Sequence, residues 1–148
     1  MSNVKLQTRS DIDAMDIFAN DPASTAARFQ TGTPPVVNCY AAEAGIALIR
    51  GVGIEAIEAR IRELTGEAMD QLLDAGCSLA TPREDARRGP QVAIRSTDAA
   101  TLTDRLAKRG VIASWRDGNV RAMFHAYNDA ADVEALVEGL MANRELLA

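Results

Sequence analysis

The stretch Val111–Asn128, VIASWRDGNVRAMFHAYN, restricts the possible folds of this chain more than any other. Asp117-Gly118 at its centre is a two-residue hairpin signal, because both central positions of a type I′ turn require positive φ. Two strands joined there must run antiparallel. With side chains alternating along the return strand, Val120, Ala122, Phe124 and Ala126 share one face, and Arg121, Met123, His125 and Tyr127 share the other. The first face is apolar and belongs against a core. The second carries a guanidinium, the sole histidine of the chain and a phenol. It reads either as the wall of a site or as a solvated sheet face.

The totals narrow the class. With 148 residues, one domain is the default. The net charge of −5 and the absence of a basic patch argue against nucleic acid. No apolar run is long enough to span a bilayer, and MSNVKLQTRS at the N-terminus lacks the apolar centre of a secretion signal. Cys39 and Cys77 stand apart and outside any metal spacing, so no metal site is expected, and a reduced cytoplasmic protein is the simplest reading. Lysine occurs only at Lys5 and Lys108, which limits any chemistry that needs an amine.

Taken in order, residues 1–27 are polar and aperiodic and predict an extended arm with at most one short helical turn. RFQTGTPPVV (28–37) predicts a loop. Gly32 permits positive φ there, Thr33 is biased to an extended conformation by Pro34, and Pro34-Pro35 stiffens the entry to the next element. Such a loop can offer amides and a hydroxyl to an anion such as phosphate, or can be a plain turn. From about Cys39 the pattern turns helical, with Ala42, Ile46 and Ile49 in spacing, until Gly51 and Gly53 break it. Next comes a long amphipathic helix, with Ile54, Ile57, Ile61, Leu64, Ala68 and Leu72 on one face, an i,i+4 pair Glu58–Arg62 on the other, and Gly76 as its stop. A short strand near Cys77–Ala80 and a charged loop lead to a strand over 91–96. Asp98 opens a helix carrying Leu102 and Leu106 that ends at Gly110. After the hairpin, Asn128 or Asp129 caps a last helix with Val133, Leu136, Val137 and Leu140 buried. The expected fold is α+β: a small antiparallel sheet with helices on one face, preceded by an arm (1–27) and a long helix, so that 28–148 form the folded domain.

These segments also resemble a known family. RFQTGTPP, Leu64-Thr65, Thr81-Pro82, Arg88–Pro90, RGVIAS (109–114) and VRAMFHAYNDAADVEAL (120–136) occur in the order found in the C-terminal part of class V aminotransferase-type enzymes. These are fold-type I pyridoxal-phosphate enzymes and include kynureninases, cysteine desulfurases and isopenicillin N epimerase-like proteins. The resemblance runs from about residue 15 to the end. It implies that Arg121 binds the α-carboxylate of a small amino-acid substrate, a task suited to a planar guanidinium. It implies that Gly32 and Thr33 belong to a loop reaching across a dimer to the partner's cofactor phosphate. His125 matches a histidine of the epimerase-like branch and is a second substrate-binding candidate. Arg28 matches the arginine before the loop and could equally be a structural or solvated arginine.

Departures from the family qualify this. The imine-forming lysine, the acid on the pyridine nitrogen and the ring stacked on the cofactor all belong to the large domain upstream. Nothing around Lys5 resembles the lysine motif, and Lys108 lies late in a helix. No catalytic residue is therefore expected, and pyridoxal phosphate should not be held covalently by this chain alone. Ser114–Gly118, SWRDG, lacks the cysteine that cysteine desulfurases place near the hairpin, which points to the kynureninase or epimerase-like branches. The expected function is that of the small domain of such an enzyme, with a homodimer mate or a missing large domain as partner. The alternative is a stand-alone, non-catalytic binding or regulatory module for an amino or keto acid or a protein.

Overall fold

A computed structural model describes residues 24–29, 32–33 and 35–148. The arm expected over 1–27 lies outside them except for its last residues. The chain divides into a unit ending at Gly51 and a second unit, Val52–Ala148.

In the first unit a 3-10 turn, Ala26–Phe29, precedes helix α1, Val36–Val52. The Arg28 guanidinium lies 4.9 Å from the centre of the exposed Phe29 ring, a local cation–π contact. Helix α1 starts earlier than expected and runs through Gly51. The break comes at Gly53, whose φ of 93° leaves the helical region. No residue of α1 is buried, although Val36, Val37, Tyr40, Ile46, Leu48 and Ile49 are all apolar.

The second unit opens with α2, Ile54–Asp74, which stops where Gly76 takes φ 85°. The expected stripe splits in two. Leu64, Ala68 and Leu72 enter the core, whereas Ile54 is 59% exposed and Ile57 and Ile61 are half-buried. The sheet holds β1, Gln91–Arg95, β2, Ser114–Arg116, and β3, Asn119–Met123, in the antiparallel order β1-β3-β2. Between β1 and β2 runs α3, Ala99–Lys108, capped by the Asp98 carboxylate, which accepts from the Thr101 amide at 3.1 Å. Helix α4, Ala130–Met141, begins with a capping box in which Asp129 and Asp132 each accept from the other's end of the first turn. Val92, Ile94, Val120 and Ala122 of the sheet close one core with Leu64 and Leu72 of α2, Leu102 and Leu106 of α3, and Val133, Leu136 and Leu140 of α4.

Two strand expectations need correction. Residues Cys77–Ala80 form a single bridge, Leu79 to Ile94, rather than a strand. Ala80 and Arg95 amides do bond across to Ala93 and Ser78 carbonyls. Beyond them the Thr81 hydroxyl takes over, accepting from the Ala93 amide at 2.9 Å and donating to the Gln91 carbonyl, so a side chain replaces the ladder. The return strand of the hairpin ends at Met123 rather than reaching Asn128, and its mate β2 has three residues.

Candidate functional site

The Asp117-Gly118 turn forms as its residue types demand, with φ of 50° and 73°. It sets the register in which Arg121 on β3 faces Ala93 of β1 on one side and Ser114 of β2 on the other. Arg121 thus springs from the central strand of the sheet, paired on both sides. Val120 and Ala122, its neighbours in sequence, are buried on the opposite face.

Past Met123 the chain bends away for a specific reason. The Phe124 amide makes a last bond to the Pro90 carbonyl, and the Asn128 side-chain oxygen then captures the His125 amide at 2.8 Å. The Asn128 amide group donates to the Asp132 carboxylate at 2.9 Å, tying this turn to the first turn of α4. His125 and Tyr127 therefore leave the strand face on which alternation had placed them. Their rings stack instead, with centres 5.2 Å apart and planes 20° from parallel, and both side chains are exposed.

Arg121, His125 and Tyr127 line an open groove of about 670 Å³. Val111, Ile112 and Ala113 form one apolar flank, and Phe124 and Leu136 contribute another. Among the described residues the Arg121 Nε is buried and has no hydrogen-bond partner, and Arg121 makes no ion pair. Asp132 also borders the groove, but its carboxylate is engaged by the Asn128 side chain and the Asp129 amide. Those hydrogen bonds hold its pKa below the usual carboxylate range. The cation rooted in the central strand is thus left with an unmet donor beside an open cavity. A buried N–H without a partner costs free energy. The arrangement can bind a carboxylate and orient the group attached to it.

The groove brings together Arg121 and His125, the two residues expected on the substrate side. Gly32 and Thr33 belong to the first unit, where both are exposed and nothing crowds the Gly32 Cα. Asn128 is the residue that sequence reasoning missed. It was a candidate cap, whereas Asp129 caps α4 and Asn128 holds the turn that carries His125 and Tyr127. Its position beside Tyr127, directly before the helix start, was the available signal. Among the described residues no cluster of His, Cys, Asp and Glu could hold a metal ion, and no helix is long and apolar enough to cross a membrane. Lys108, the one lysine among them, is exposed near the end of α3 and does not line the groove.

Comparison with known proteins bears on the same residues. The family profile of the kynureninase C-terminal domain matches residues 56–140. An uncharacterized aminotransferase of Bacillus subtilis, YcbU, is 30% identical over 81% of this chain and 32% of its own length. The kynureninase of Xanthomonas euvesicatoria is 31% identical over 89% of this chain, again 32% of its own length. Among solved structures, an apo cysteine desulfurase from Thermococcus onnurineus superposes with a TM-score of 0.75 at 19% identity, covering 98% of this chain and 38% of that one, which establishes a shared fold. The chain spans about a third of the length of the relatives it matches.

Proposed function

The chain belongs to the kynureninase C-terminal domain family, and on that footing we propose that its groove anchors the carboxylate of a small amino or keto acid through Arg121. In this reading the chain acts as the small domain of a pyridoxal-phosphate enzyme of the class V aminotransferase type. The observation that carries it is the buried, unpartnered Nε of Arg121 in an open groove. A bidentate pair to a carboxylate would use that donor together with the head of the guanidinium and fix the ligand's angle as well as its charge. His125 and Tyr127, held by Asn128, would border the rest of the ligand.

Pyridoxal phosphate itself does not fit the residues of this groove. The cofactor supplies an electron sink once it is bound to an amine as an imine. The groove offers no amine, and the exposed Lys108 lies outside it. Gly32 and Thr33, both exposed ahead of α1, remain the proposed contacts to a cofactor phosphate held by a partner subunit, on the strength of the family resemblance. The absence of cysteine in Ser114–Gly118 favours the kynureninase or epimerase-like branch over sulfur transfer.

The same scarcity of lysine supports a second reading, a binding module without chemistry. Titration calorimetry with small keto and amino acids tests the anchor common to both. Binding should weaken by about tenfold or more in Arg121→Ala, since hydrogen bonds to charged groups contribute about 1.5–3 kcal/mol. Equal binding by both proteins would sink the proposal. Treating the chain with pyridoxal phosphate, reducing with borohydride and weighing it should show no stoichiometric adduct. An adduct at one lysine would contradict the assignment of the imine chemistry to residues outside this sequence.

A further inference from the structure

Every polar group of Asn128 is engaged. Its amide donates to the His125 carbonyl at 3.0 Å, its side-chain oxygen accepts from the His125 amide, and its side-chain nitrogen donates to Asp132. Its carbonyl stands one residue ahead of the Asp129 cap, outside the ladder of α4, and needs a donor from elsewhere. Arg60 of α2 supplies it: a terminal nitrogen of the guanidinium donates to the Asn128 carbonyl at 3.2 Å, from 68 residues away in sequence. Among the described residues, no other side chain of α2 hydrogen-bonds to the segment 124–132.

The position of Arg60 on its helix explains the reach. It lies one turn before Leu64, on the i,i+4 row that continues through Ala68 and Leu72 into the core. Where that buried row runs out, the next residue is a long cation instead of an aliphatic side chain. Its stem can cover the end of the core while its head stays at the surface. The other terminal nitrogen lies 2.6 Å from the Glu63 carboxylate, so the two arms of the fork are divided between Glu63 and Asn128. The Arg60–Glu63 pair is itself exposed and contributes little to stability. It does orient the guanidinium, which leaves the second arm aimed at the carbonyl.

Asn128 is half-buried, whereas every other residue from His125 to Ala130 is exposed. The stacked rings of His125 and Tyr127 therefore hang from one held point, and Arg60 grips that point from α2. Those rings face the same groove as Arg121, and Val111, Ile112 and Ala113 flank it. An apolar group attached to a bound carboxylate would meet the rings and this flank. We propose that Arg60 is a positioning residue for the groove: through the Asn128 carbonyl it holds the His125–Tyr127 stack in place and so sets selectivity among keto acids by their apolar side chain. The selectivity rests on the reading of Arg121 as the carboxylate anchor; the hold on the stack does not.

Nuclear magnetic resonance of the full chain tests this with two ligands: pyruvate, a keto acid carrying only a methyl group, and α-ketoisocaproate, which carries a branched apolar tail. The Arg121 Nε–Hε signal reads the affinity for both. Arg60→Ala should weaken α-ketoisocaproate by about threefold to tenfold, the usual effect of one lost hydrogen bond, and leave pyruvate nearly unchanged. Loss of a positive charge alone would weaken both ligands alike. The sole histidine supplies a second readout that needs no ligand. Its ring protons should be displaced by the Tyr127 ring in wild type and move toward free-histidine positions in Arg60→Ala. Arg60→Lys keeps a cationic donor and should recover most of both changes. Arg60→Gln keeps a stem over Leu64 but is too short for the carbonyl; it should behave as Arg60→Ala does, and it decides the matter where the alanine variant fails to fold. Equal losses for the two ligands, a His125 ring signal that stays still in Arg60→Ala and Arg60→Gln, or a lysine variant no better than alanine overturns the proposal. If neither ligand moves the Arg121 signal of wild type, the carboxylate reading fails and the selectivity with it. The His125 signal then still supports or overturns the hold of Arg60 on the stack.

Discussion

Helices α1 and α4 are equally apolar, yet one is wholly exposed and the other helps to close the core. Helix α4 buries Val133, Leu136, Gly139 and Leu140 against α2 and α3. Helix α1 buries nothing, while Val37, Tyr40 and Leu48 are each at least 70% exposed. Apolar spacing therefore reports that a helix has a face to cover, not that the described residues cover it. Contiguous exposed apolar surface generally marks an interface. The first half of α2 shares this property with α1, and its second half shares the core with α4.

The contrast predicts opposite responses to one kind of change. Leu140→Ala in α4 should cost about 2–5 kcal/mol of unfolding free energy, the usual range for a buried leucine. Ile49→Ala in α1 should stay within about 0.5 kcal/mol, as for exposed positions generally. Urea unfolding of both variants measures this. Equal losses would mean that α1 is covered in solution and would erase the distinction.

A smaller effect sharpens the α4 side. A Cβ on Gly139 would sit 2.7 Å from Cδ2 of Leu106, itself fully buried, so α3 and α4 approach closely only because this position has no side chain. Gly139→Val should destabilise by about 1–3 kcal/mol through overpacking. Gly45→Val in α1, where nothing lies within 4 Å, should instead stabilise by about a few tenths of a kcal/mol, because valine is the better helix former. Thermal melts of the two variants would show whether the close approach is real.

The smallest effect is one of pH. The hydrogen bond from the Asn128 side chain, then that from the Asp129 amide, hold the Asp132 pKa below its ordinary value. Its folded pKa is therefore lower than its unfolded one, which lies near about 3.9. The stability it contributes is fully present above that unfolded value and is lost as pH falls through the lower folded one. Wild type should lose stability more steeply than Asp132→Asn below about pH 4, in melts taken between neutral and acid conditions. Parallel pH profiles would show that the capping box carries no charge-dependent stability. The group is exposed, so the difference should be slight.

Much of this architecture could be read from residue types because local chemistry and global fold agree. Asp117-Gly118 demanded its turn, Asp98 and Gly110 bounded α3, and the stripe of α4 faced the core as spaced. The two strand misreadings have a common cause. Each occurs where a side chain replaced a backbone pattern: Thr81 ended the ladder beside β1, and Asn128 ended β3. Alternation cannot foresee such captures, because it counts only apolar positions. The groove was legible in part. Arg121 was placed correctly on the polar face, but the stacking of His125 on Tyr127 depends on a turn that periodicity does not encode. The roles of Gly32 and Thr33 rest on the resemblance alone.

The central claim is that Arg121 is a carboxylate anchor awaiting its ligand, and its own Nε–Hε signal reports on that most directly. In a proton–nitrogen correlation spectrum, this signal should move and saturate as a small keto acid is added, and it should stay still with the matching neutral ester. Neighbouring signals of His125 and Ser114 should move with it, since both residues line the same groove. A saturating keto acid that leaves the Arg121 signal unmoved, or an ester that shifts it equally, would contradict the account.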